Sequence, residues 1–78
     1  MAYRVFTVRN SEDFGRTIGE LRRERGLTQQ QAAEQWGLSR SHLGHIERGR
    51  APRMVGVVLR IIRRLGGEVR VVVGDGAA

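Results

Sequence analysis

Two short amphipathic segments, residues 29–36 and 40–48, are separated by only Gly37, Leu38 and Ser39. So short a joint is a tight link that keeps the two helices in contact. Gly37 supplies the left-handed backbone that a side chain resists. Thr28-x-x-Gln31 is a capping box that opens the first segment, and Ser39 caps the second. A chain containing this joint is committed to a helical core.

The flanks extend that pattern. Asn10 or Ser11 offers an N-cap, Glu12 and Asp13 follow, and Phe14, Ile18 and Leu21 fall on one face of a helix closed at Gly26. Ala32, Ala33 and Trp36 are expected to face the core from the next helix. A fourth helix is expected from Pro52 through Leu65, stopped by Gly66-Gly67. Tyr3–Val8 and Glu68–Val73 read as short strands. The order is β-α-α-α-α-β in one domain over 1–78, with a strand segment at 1–9, helices within 11–65, a strand at 68–73 and a tail at 74–78. The fold class is mainly α with short terminal β-strands.

A 78-residue chain with 40% hydrophobic residues has material for a small core, which by itself contributes only about 3–5 kcal/mol. It has no cysteine, so disulfides and thiolate zinc sites are excluded and oligomerisation is the remaining reinforcement. The longest apolar runs, such as Val71-Val72-Val73, fall far short of the roughly 20 residues needed to span a bilayer. The opening Met1-Ala2-Tyr3-Arg4-Val5-Phe6 lacks the plan of a signal peptide, so a soluble cytoplasmic protein is expected.

Charge is unevenly placed. Residues 1–39 hold six arginines against five acids, whereas residues 40–64 hold seven against Glu47 alone. A basic segment this concentrated favours a polyanion, although a solvated helix face would also produce it. Geometry separates the two readings. At 100° per residue, Leu43, Ile46 and Glu47 share one side of the 40–48 helix, and Ser41, Gly44, His45 and Arg48 lie opposite, with Arg40 at the edge. Arginine can pair with guanine O6 and N7, serine and histidine can bond base edges, and a glycine permits close approach.

The stretch Leu27–Arg50, with the pattern GLTQ…A…GLS…L..IERGR, resembles the lambda-repressor-like helix-turn-helix family of Cro and xenobiotic-response-element-type regulators. The resemblance covers residues 14–65 and implies a four-to-five-helix domain that binds double-stranded DNA and regulates transcription. It implies that Gln29 touches a phosphate, and that Arg40, Ser41, Gly44 and His45 face bases. Ser39, His42, Arg48 and Arg50 would approach the DNA backbone, and Arg22 would pair with Glu47. Trp36 departs from the smaller aliphatic residue usual there, and the Gly49–Pro52 connection is one residue short. The segment LGGEVRVVV resembles the HipB-type antitoxin branch, which implies a dimeric autorepressor partnered with a HipA-like kinase toxin, its C-terminal strands paired across the dimer.

A homodimer is also expected on physical grounds. Apolar residues of the fourth helix cover an arc of roughly 200°, about twice what packing on its own domain needs. An isolated two-stranded ribbon is marginal in water. Met54, Val57, Ile61, Val69, Val71 and Val73 are the expected interface, which would set two recognition helices about 34–36 Å apart. Whether the strands pair within or between chains is left open. No cofactor or metal is expected, because His42 and His45 lack a third ligand. No nucleophile stands with a base at usable spacing, so no enzyme is expected. The competing class is a protein-interaction module that keeps the helical shape without binding DNA.

Overall fold

The computed structural model describes residues 3–74. The elements run β1 (Tyr3–Val8), α1 (Ser11–Glu24), α2 (Gln29–Trp36), α3 (Arg40–Glu47), α4 (Arg53–Arg64) and β2 (Val69–Gly74).

The first three helices begin on side-chain caps. Asn10 accepts from the Asp13 N–H at 2.8 Å, and Ser39 accepts from the His42 N–H at 3.0 Å. Both halves of the capping box form, with Gln31 N–H donating to Thr28 Oγ1 at 3.1 Å and Thr28 N–H to Gln31 Oε1 at 2.9 Å. Gly37 adopts φ +73° and ends α2. α4 differs: Pro52 precedes it as the cap residue and makes no side-chain cap bond. Pro52, Leu65 and Arg48, expected inside helices, are instead their cap residues.

The two strands pair antiparallel within the chain, from Tyr3 opposite Gly74 to Val8 opposite Val69. Pairing within the chain uses one edge of β2 and leaves its other edge without a strand partner among the described residues. The register corrects the strand limits. β1 ends at Val8, so Glu68 falls beyond it, and Gly74 joins β2 opposite Tyr3. The rest of the expected tail lies outside the described residues.

The core is small. Ala32, Ala33 and Leu43 are buried together, with Ile18, Leu27 and Leu38 packed around them, and Val8 and Leu59 are buried elsewhere. α3 sits directly on the backbone of α1: a Cβ on Gly15 would lie 2.2 Å from the Ile46 carbonyl oxygen. Asp13 fixes the β1–α1 junction, taking hydrogen bonds from Arg16 Nη2 at 2.6 Å and from the Arg9 N–H at 2.9 Å. The Arg16 bond and then the Arg9 bond hold its carboxyl below the ordinary aspartate range.

Trp36 corrects the expected core. It is 43% exposed, lying along a shallow groove with Ile18, Leu21, Leu27 and Gln35. Its position at the last turn of α2 carries it past the alanine contact, and helices held together by alanines leave no space for an indole between them.

α1 packs on α3, α2 on α3 and β1 on α1, whereas α4 has no comparably extensive contact with another element. The molecule is a slab of 37 × 34 × 16 Å with a radius of gyration of 13.4 Å. A compact chain of this length would have about 11–12 Å.

Candidate nucleic-acid interface

The expected Arg22–Glu47 pair forms as a bidentate bridge. Nε lies 2.7 Å from Oε2 and Nη2 lies 2.9 Å from Oε1. Both side chains are nearly buried, at 9% and 8% exposure. The remaining Arg22 nitrogen, Nη1, donates to the Leu27 carbonyl at 2.8 Å, so the bridge joins α1, the loop before α2, and α3. Burial alone would push Glu47 upward. The hydrogen bonds of Arg22 and Gln29 and the charges of Arg22 and Arg23 outweigh burial and hold the carboxyl below its usual range.

Gln29 is the residue whose surroundings the sequence did not disclose. Its Nε2 donates to Glu47 Oε1 at 3.1 Å. The capping box at Thr28 sets Gln29 at the first position of α2, but its reach to a carboxylate 18 residues away depends on the crossing of α2 and α3. The side chain is half-buried, so a group meeting Gln29 also meets the bridge that holds the helices together.

Along α3, Arg40, Ser41, His42 and Arg48 are exposed and His45 is half-buried. Ser39 and Arg50, at the two flanks of α3, are exposed too. The Ser39 oxygen already serves as a cap, and its hydroxyl hydrogen is free to donate. Gly44 is buried, contrary to its expected open position, because the Arg48 side chain covers it. Arg40, Ser41, His45 and Arg48 thus share one side of the α3 segment, and Gln29 meets α3 through Glu47.

The ion pairs sharpen the charge argument. Arg4, Arg9, Arg16, Arg22 and Arg70 are paired with acids. Among the described residues the other nine arginines have no carboxylate in ion-pair range, and seven of them lie between Arg40 and Arg64. Arg53, in the first turn of α4 beyond Arg50, belongs to this set and was not among the expected site residues. Its signal was the spacing of basic residues across a short loop.

The expected dimer surface is only partly outward. Met54 is 67% and Ile61 50% exposed, while Val57 is half-buried. Val69, Val71 and Val73 share a hairpin face with the buried Val8 and are half-buried. The opposite face exposes Tyr3, Val5 and Val72. Alternation identifies two faces of a strand but not which one the core covers.

No helix among the described residues is long and apolar enough to cross a membrane. None of their His, Asp and Glu side chains form a group of three able to hold a metal ion.

A tight α2–turn–α3 unit, an interhelical arginine–glutamate bridge and an outward polar face on α3 define a helix-turn-helix domain. The helix-turn-helix domain family matches residues 13–71, and the chain belongs to that family, in its lambda-repressor-like class. The chain is 41% identical over 61 residues to the immunity repressor protein of Bacillus phage phi105. The match covers 78% of this chain and 42% of the phage protein, so the chain spans less than half of that relative's length. No solved structure matches it.

Proposed function

We propose that the protein is a sequence-specific transcriptional repressor that binds double-stranded DNA in the cytoplasm as a symmetric homodimer. The observation that carries this reading is the exposed side of α3, where Arg40, Ser41, His45 and Arg48 stand together in a segment whose arginines have no carboxylate in ion-pair range among the described residues. In this reading Arg40, Ser41 and His45 read base edges, while Gln29, Ser39, His42 and Arg50 approach the backbone. The name of the phage relative supports repression in particular.

Support for the dimer comes from α4. Met54, Val58, Ile61 and Leu65 form an exposed apolar stripe on a helix with little intramolecular packing. A two-fold mate covers that stripe and places the second recognition helix on a neighbouring half-site. Sedimentation at micromolar concentration tests it, and a stable folded monomer would remove the interface.

Selection from a random duplex pool followed by salt titration tests the DNA reading. A recovered motif and a steep decline of affinity with salt are expected. Retention on heparin with no preference among duplexes would favour the interaction module instead. The narrower role, an antitoxin beside a HipA-like kinase, rests on residues 65–73 alone. β2 pairs with β1 along one edge and leaves the other open to a two-fold mate, and the repressor reading does not depend on that further pairing.

A further inference from the structure

Gly44 is buried on the outward half of α3 because a side chain from the next turn lies over it. A Cβ on Gly44 would stand 3.3 Å from Arg48 Nη1, 3.8 Å from Nη2 and 3.9 Å from Cζ. The Arg48 guanidinium therefore rests on the helix one turn N-terminal to its own Cα, the direction in which long helical side chains lean. Among the described residues it has no carboxylate in ion-pair range, and Arg48 is exposed although it also borders a groove beside α1. On the helical wheel, position 44 falls between Arg40 and Ser41.

We propose that Gly44 and Arg48 form one composite reading unit, in which the side chain missing at 44 seats the Arg48 guanidinium so that it pairs with a guanine edge. This inference rests on α3 as the base-reading helix and changes the part of two residues within it. Arg48 moves from backbone approach to base recognition, and Gly44 becomes its seat. The planar fork of a guanidinium matches guanine O6 and N7 with two parallel hydrogen bonds. Resting on the backbone, the side chain has fewer rotamers left to lose on binding. A phosphate contact would require no such seat.

The test uses the full chain and duplexes selected from a randomised pool by the wild-type protein. Affinities are then measured for single-base-pair variants of that motif at several salt concentrations. Arg48→Lys keeps the charge and loses the fork. It is expected to keep the salt slope while losing about tenfold discrimination at one guanine position. Gly44→Leu fills the seat and is expected to lose the same discrimination with Arg48 intact. Gly44→Ala displaces the guanidinium by a few tenths of an ångström and should give an intermediate loss. Should Gly44→Leu fail to fold, Arg48→Lys and Gly44→Ala carry the test.

If Arg48→Ala weakens all duplexes alike and lowers the log–log salt slope by about one unit, Arg48 is a phosphate contact and the proposal is overturned. Unchanged base preference in Arg48→Lys or in both Gly44 variants overturns it too. A wild-type protein that selects no motif would remove the base-reading helix itself, an outcome distinct from a motif indifferent to positions 44 and 48.

Discussion

The α1–α3 unit and the α4–hairpin unit are built by opposite means. In the first, three helices start on side-chain caps, a glycine lets α3 rest on α1, and a nearly buried ion pair binds the two ends of the unit together. In the second, α4 has no side-chain cap, contains no acid, and exposes Met54, Val58, Ile61 and Leu65. One unit is closed by contacts within the chain, and the other leaves an apolar stripe exposed. Polar bonds of defined geometry specify the part that must hold a shape for recognition. Exposed apolar area marks the part where the proposed dimer would form.

The comparison breaks most easily at Glu47. Glu47→Ala leaves the Arg22 guanidinium nearly buried without its carboxylate and releases Gln29. Removing one partner of such a pair costs about 3–5 kcal/mol, comparable to the whole stability of a small domain. Circular dichroism is expected to show loss of the cooperative helical transition. A melting curve equal to that of the parent would mean that the bridge contributes nothing to α1–α3.

Acid should act on the same unit. Asp13 and Glu47 are both held below their ordinary values, so the stability they contribute is fully present above their unfolded pKa values of about 3.9 and 4.3. It is lost as pH falls through the lower folded values. Denaturant midpoints are therefore expected to drop as pH falls below about 5, less steeply in Glu47→Gln. The α4 stripe carries no carboxylate, so a fall confined to concentration-dependent association would reverse the assignment.

Ile61→Ser sharpens the other side. It removes apolar area from an exposed position, so the single chain should change by no more than about 0.5 kcal/mol. Association should weaken markedly, read as a lower weight-average mass by sedimentation and a melting temperature that no longer rises with protein concentration. The smallest effect is expected at the start of α4. Arg53 lies against the positive end of an uncapped helix, and Arg53→Glu should stabilise the chain by about 0.3–1 kcal/mol at low salt. The same change should weaken binding to unselected duplex DNA.

Local chemistry explains which features were legible in the sequence. The starts and ends of α1–α3 follow from Asn10, Thr28, Ser39 and Gly37, whose influence reaches no more than one turn, and these agree with the structure to about a residue. The Arg22–Glu47 bridge was available only through the family pattern, since nothing local joins residues 25 positions apart. Trp36, Gly44 and the faces of β2 depend on how helices and strands settle against one another. The periodicity that placed Trp36 inward and Gly44 outward carries no information on helix spacing or on the path of a neighbouring arginine. Gln29 shows the same limit, because its bond to Glu47 exists only once α2 and α3 have crossed.

A slab 16 Å thick cannot unfold as a thicker domain does. Layers joined by few contacts open separately, each with its own free energy, so amide hydrogen exchange need not be uniform along the chain. Backbone amides of α1–α3 then report the bridged unit, while those of α4 exchange through openings that leave the rest of the chain folded. Slow exchange in α4 that is lost on dilution would consequently time the opening of the proposed dimer, whereas fast exchange at every concentration would speak against it.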